Sequence, residues 1–190
     1  MTVALQGDHP PPGGWTADDL DRLPDDGRRH ELLDGNLIVS PSPTRLHQSI
    51  AGRLMAALEE TCPPDLDVTQ GVEVRLSRTR SFFPDVLVTE LDAAARNPSH
   101  YQPHEVMLVV EIVAEGSRSI DRVLKPALYA EAGIPYFWRI ETDSWTVVHA
   151  HKLDPAKRVY VEQARMTDGI LVPEPWEIDI PLGRITPRSR

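Results

Sequence analysis

Cysteine is nearly absent: Cys62 is the only one in 190 residues. No disulfide can form within the chain, and a reducing compartment is expected. Long apolar runs are missing too. Met1 to Gln6 is too short an apolar stretch for a signal peptide, and no segment approaches the length of a membrane span. The expectation is a cytoplasmic protein with no membrane partner. Positive charge is in deficit, with a formal net charge of -9. That argues against a constitutive, sequence-blind coat for nucleic acid, which needs a basic surface. It leaves room for a metal-dependent enzyme acting on phosphates, because an ion and a local basic patch can hold them. Internal repeats and low-complexity blocks are also missing.

What is present is ordinary in bulk, with 41% hydrophobic and 26% charged residues, as in a globular protein large enough to bury a sizeable core. Residues 1–14 are rich in Pro and Gly and read as a flexible tail. Residues 15–180 read as one domain, and 181–190 as a second tail. The informative feature is a pair of acids on two apolar runs. One run is Phe82-Phe83-Pro84-Asp85-Val86-Leu87-Val88. The other is Val106-Met107-Leu108-Val109-Val110-Glu111-Ile112-Val113. Each predicts a buried strand. A carboxylate inside such a run is costly unless paired, protonated or bound to metal. Two on neighbouring strands would converge on one point, which suits a hard divalent ion such as Mg²⁺.

The remaining pattern alternates helices and strands. Thr16 and Asp19 form a capping box for a short helix through Leu23. His30 to Val39 reads as a hairpin turning at Asp34-Gly35. Leu46, Ile50, Leu54, Ala57 and Leu58 give Thr44 to Glu60 helical spacing, and Cys62-Pro63-Pro64 stops it. Asp67 to Leu76 predicts one or two strands around Gly71, and Leu91 to Arg96 a short helix or loop. Ser119 to Ala132 predicts a helix closed by Gly133. Strands are expected over Pro135 to Ile140, Trp145 to Lys152, Val159 to Gln163 and Gly169 to Val172.

Pro84-Asp85 followed by Glu111-Ile112-Val113 resembles the PD-(D/E)xK nuclease signature. Glu31-Leu32-Leu33-Asp34-Gly35, Ser40-Pro41-Ser42-Pro43 with His47, and Asp121, Lys125 and Tyr129 ahead of Gly133-Ile134-Pro135-Tyr136-Phe137-Trp138 extend the likeness. Together, over roughly Trp15 to Lys152, they resemble the Uma family of restriction-endonuclease-like proteins. The resemblance implies an α/β fold with a restriction-endonuclease-like core: a mixed, mostly antiparallel central sheet flanked by helices. It implies Mg²⁺- or Mn²⁺-dependent hydrolysis of DNA phosphodiester bonds. Asp85, Glu111 and the main-chain carbonyl of Ile112 would hold the ion, and Glu31 would complete the shell or bind a second one. The parent motif places a Lys two residues after the Glu. Val113 stands there, and the resemblance assigns the cation to Lys125, which shares a helix face with Asp121 and Tyr129 at i, i+4 and i+8. Pro126 removes a helical hydrogen bond beside it. By analogy with paired nuclease sites, the Trp138 strand and its neighbours are candidates for a homodimer contact.

Each assignment has a simpler rival. Asp85 would also serve as a strand cap or as an acceptor of backbone hydrogen bonds in a turn. Glu111 and Lys125 would make a buried ion pair, or Lys125 a surface pair with Asp121. Glu31 would pair with Arg28 or Arg29. His47 suits a helix cap or the core, and Tyr129 and Trp138 suit the core. Arg75, Arg78 and Arg80 form the most basic stretch before Pro84-Asp85 and are either a solvated loop or contacts to a phosphate backbone. The matching functional rival is a catalytically inactive member, kept as a binding or assembly module, and a metal titration separates the two.

Overall fold

The computed structural model describes residues 10–11, 13–23, 28–40, 42–113, 120–143 and 145–188. Strands β1 (Arg29–Leu33) and β2 (Asn36–Ser40) form the expected hairpin. Its turn residues Asp34 and Gly35 have φ of 48° and 78°, the positive values a tight two-residue hairpin turn requires. With β4 (Glu73–Ser77), β5 (Arg80–Phe82) and β7 (His100–Tyr101) they make a five-stranded sheet in the order β2-β1-β5-β4-β7.

A second sheet holds the centre of the molecule. It runs β11 (Val159–Met166), β10 (Val147–Asp154), β9 (Tyr136–Glu141), β8 (Val106–Ile112), β6 (Val86–Glu90), β3 (Leu66–Thr69). Every ladder in it is antiparallel except β8 with β9. The crossover between those two carries helix α4 (Lys125–Ala132), as a parallel pair requires. Gly133 closes that helix at φ 88°.

Alternate side chains of β6 and β8 feed two cores. Val86, Val88, Leu108, Val110 and Ile112 meet Ile50, Leu54 and Leu58 of α2 (Arg45–Glu59). On the opposite face Leu87 and Val109 meet Leu128 and Tyr129 of α4, with Val74 and Phe82 from the smaller sheet. Burial on both faces is why these strands read as continuous apolar runs rather than alternating ones. Among the described residues no helix is long and apolar enough to cross a membrane.

The structure departs from the sequence expectations in four places. The run from Phe82 to Val88 is two strands. Phe82 ends β5 in one sheet, Val86 opens β6 in the other, and Phe83, Pro84 and Asp85 cross between them. Pro84 has no N–H to give a ladder. The helix expected from Ser119 is described from Ile120, starting with a π-helical turn over Ile120–Leu124; Ser119 lies outside the described residues. Pro126 then sits near the start of α4, directly after the π-helical turn, so its missing N–H falls where the hydrogen-bond spacing changes from π to α. Trp138 is fully buried and its strand β9 is paired on both sides; the edge of the sheet on that side is β11.

The fourth departure is at the C-terminal end. Pro181, expected to open a tail, ends β13 (Ile178–Pro181), which pairs with β12 (Gly169–Val172). Helix α5 (Leu182–Ile185) follows, and Leu182 and Ile185 are buried against the α2 core. A single helical turn carries too little periodicity to be read from sequence. Ile185→Ala is therefore expected to lower unfolding free energy by about 2–5 kcal/mol. Urea denaturation measures this; a change under about 0.5 kcal/mol would make the segment the tail it resembles in sequence.

Candidate active site

The register Val86↔Val110 and Leu87↔Val109, continued by one residue, sets Asp85 beside Glu111. Both lie at the end of the β6–β8 ladder, Glu111 under α4 and Asp85 within reach of His47 of α2. Asp85 Oδ2 accepts the Ile112 N–H at 2.7 Å and lies 3.1 Å from His47 Nε2. Its Oδ1 has Arg29 Nη1 at 3.6 Å, ion-pair range but longer than a hydrogen bond. The Asp85 N–H donates to the Val110 carbonyl at 3.1 Å. Asp85 is thus fixed by one carboxylate oxygen, with the other directed toward the Arg29 side.

Glu111 is enclosed by α4. The Tyr129 hydroxyl donates to its Oε1 at 2.7 Å, and Lys125 Nζ lies 3.2 Å from both of its oxygens. The same ammonium is 2.9 Å from Glu31 Oε1 and 3.6 Å from Asp121 Oδ1. Glu31 Oε1 also accepts the Phe83 N–H at 3.1 Å. Glu31, Glu111, Asp121 and Lys125 are all at most 5% exposed. The π-helical turn delivers Asp121 and Lys125 to one side of α4 despite its wider turn, a feature often met at functional positions.

Burial governs the proton equilibria. It pushes the Glu111 carboxyl well above the usual range. The Lys125 charge opposes that rise, and the negative charges of Asp85, Asp121 and Glu31 add to it. For Lys125, burial works against the charged form, but Glu111, Glu31 and Asp121 outweigh it and hold the ammonium above its ordinary value. Burial likewise raises the Tyr129 hydroxyl, with Glu111 adding to the effect, so at neutral pH it is a donor to Glu111.

Glu31, Asp85, Glu111 and Asp121 set four carboxylates against two fixed cations, Lys125 and Arg29. The donors are all oxygen and negative charge is in excess, which fits a hard divalent cation. Among the described residues no three His, Cys, Asp or Glu side chains already converge as a ligand set. Lys125 stands between Glu31, Glu111 and Asp121, so the position that fits an ion lies on the Asp85–Glu111 side.

Arg75 and Arg80, considered as phosphate contacts, are committed elsewhere. Arg75 is buried and bonds Glu73 at 2.9 Å, with Asp21 and Asp18 beside it. Arg80 bonds Asp34 at 2.6 Å and Glu131 at 2.9 Å. Arg78 is exposed, and its carbonyl accepts the Ala17 N–H. Of two other cations that could stand in for Lys125, Lys152 is held by Glu174 at 2.7 Å, and Arg118 lies outside the described residues. Two residues join the site without having been assigned to it by sequence. His47 lies in the first turn of α2, where its backbone N–H donates to Oγ1 of the capping Thr44, and its ring reaches Asp85. Arg29 reaches Asp85 and bonds the Phe83 carbonyl at 3.2 Å.

A mixed sheet flanked by helices, with acids and a lysine gathered at the end of two central strands, is the restriction-endonuclease-like α/β class. The chain belongs to the Uma2 family, described as "Putative restriction endonuclease", whose family model matches residues 17–180. It shares its fold with a crystal structure described as a "putative nuclease belonging to DUF820" from Anabaena variabilis. That chain is 16% identical, with a TM-score of 0.71 over 90% of this chain and 96% of the other. Comparison with curated proteins gave no match.

Proposed function

We propose that this protein is a divalent-metal-dependent endonuclease that hydrolyses DNA phosphodiester bonds, with Mg²⁺ or Mn²⁺ as cofactor. The observation that carries the reading is the enclosed cluster of Glu31, Glu111 and Asp121 around Lys125, with Asp85 at its open side. Asp85 Oδ1, Glu111 and the Ile112 carbonyl would hold the ion. When bound, the ion supplies charge neutralisation at phosphorus and a water acidic enough to attack at neutral pH.

The protein's own groups do the rest. His47 and the Ile112 N–H fix Asp85. Tyr129 fixes Glu111. Glu31, offered by sequence as a ligand, has Oε1 engaged by Lys125 and the Phe83 N–H, so its role is to hold the lysine in place. Lys125 brings a compact positive charge to the Glu111 carboxylate, where it can neutralise charge developing on a phosphate oxygen. Arg29, on the Asp85 side, orients the phosphate.

Cleavage of plasmid and linear DNA with Mg²⁺ or Mn²⁺ tests the reading directly, and calorimetry tests the site. Because Glu111 binds its proton more tightly than an ordinary carboxylate, protons compete with metal up to an unusually high pH. Metal affinity is expected to rise with pH through and beyond the usual carboxylate range. No cleavage together with no metal binding at any pH would leave the inactive binding-module reading in its place.

A further inference from the structure

Beside the site, a cavity of about 440 Å³ opens between the end of α1 (Ala17–Leu20), the start of β1 and the Phe83 turn. That is within the roughly 300–1,000 Å³ of small-ligand sites. Its character is mixed in an ordered way. Leu20, Leu23 and the Phe83 ring supply apolar wall. Arg28, Arg29 and His30 also belong to the lining, in a chain whose net charge is -9. Asp21 and Glu73 line another part; Arg75 bonds both, and the Ser81 hydroxyl also donates to Glu73 Oε1, so their charge is largely neutralised.

Arg29 connects this cavity to the candidate active site. Its guanidinium lies over the Phe83 ring at 5.8 Å and bonds the Phe83 carbonyl, and Nη1 is 3.6 Å from Asp85 Oδ1. Gly71 lies against it. A Cβ at that position would come 3.5 Å from Arg29 Nη2, and the glycine's φ of +66° disfavours any side chain. The arginine therefore has one end in the cavity and the other at the acid that would bind metal.

We infer that this cavity is a nucleotide subsite taking one nucleoside 5′-monophosphate unit. The base lies against Phe83, Leu20 and Leu23, an exocyclic amine points to Asp21 and Glu73, and the phosphate is held by Arg28 and Arg29. The inference rests on the nuclease reading for its biological meaning: the occupant is a base of the bound strand, turned out of its stack beside the phosphate engaged at Asp85. The chemistry that recognises it is general. An aromatic face stacks on any base, and a planar guanidinium pair binds phosphate.

Calorimetric titration of the full chain without metal, using the four deoxynucleoside monophosphates, deoxyadenosine and inorganic phosphate, tests it. At least one monophosphate is expected to bind at a single site, at least 10-fold more tightly than inorganic phosphate or deoxyadenosine. Phe83→Ala should weaken it at least 10-fold and Phe83→Tyr should restore it. Arg29→Gln should reduce the monophosphate to the affinity of the nucleoside. If Phe83→Ala does not fold, amide shift changes at Gly71 and Ser99 in the wild-type protein locate the ligand instead; shifts confined elsewhere overturn the inference. No monophosphate binding at millimolar concentration, or inorganic phosphate binding as tightly as the nucleotide, also overturns it. The two readings fail separately. DNA cleavage without nucleotide binding removes only the subsite, and nucleotide binding at Phe83 without DNA cleavage removes only the nuclease.

Discussion

Lys125→Met is expected to lower unfolding free energy at pH 7 by about 3–5 kcal/mol, the range for removing one partner of a buried ion pair. The ammonium is the counter-charge for three carboxylates: Glu31 at 2.9 Å, Glu111 at 3.2 Å and Asp121 at 3.6 Å. Methionine keeps much of the volume and removes the charge, so the cost is electrostatic rather than a cavity. The pH dependence fixes the sign. The folded-state pKa of Lys125 is raised above its ordinary value, so the stability it contributes is fully present at neutral pH and lost only as pH rises through the alkaline range. Without the lysine the acids bind protons more readily, and acidification relieves their repulsion. The gap between wild type and variant should therefore narrow from pH 8 to pH 5. Urea unfolding at several pH values measures it. A gap below about 1 kcal/mol at pH 7, or one that widens on acidification, would mean another cation balances these acids.

Much of the fold is legible in sequence because its signals are local. The turn at Asp34-Gly35, the Thr16–Asp19 capping box, the Gly133 stop and the two apolar runs each declare themselves within a few residues. The two acid-bearing runs also carry the likeness to the nuclease fold, because an acid in an apolar strand needs a partner somewhere. What sequence does not reveal depends on contacts between distant segments. Arg75 looks like a phosphate contact until Asp21, 54 residues away, folds onto it. His47 looks like a helix cap, but Thr44 caps α2 and the His47 ring goes to Asp85 instead. Its approach to Asp85 follows from α2 packing on the β6–β8 face, which no spacing within α2 encodes. Arg29 is hidden for the same reason. The break at Pro84 was written in the sequence as a residue that cannot donate to a ladder, but the apolar composition around it masks the change of sheet.

Asp85→Asn is expected to reduce DNA cleavage by on the order of 100-fold or more, comparable to losing a principal transition-state contact, while leaving the fold in place. The asparagine carbonyl can still accept the Ile112 N–H that Asp85 Oδ2 accepts at 2.7 Å. The loss of charge facing Arg29 and His47 costs stability. It also removes one of the repulsions that raise the Glu111 carboxyl, so the two effects oppose and the net change should be about 1 kcal/mol or less. The metal readout separates chemistry from folding. In wild type, saturating Mg²⁺ or Mn²⁺ should raise the melting temperature, because binding to the native state alone stabilises it by mass action. In Asp85→Asn that rise should largely vanish. The Glu111 carboxyl should titrate closer to its ordinary range than in wild type, visible by NMR of labelled carboxyl carbons. A variant that keeps the metal-induced rise and loses cleavage would place the ion elsewhere in the acid cluster and leave Asp85 to orient the phosphate with Arg29. A variant that keeps both would return Asp85 to the role of a strand cap on Ile112.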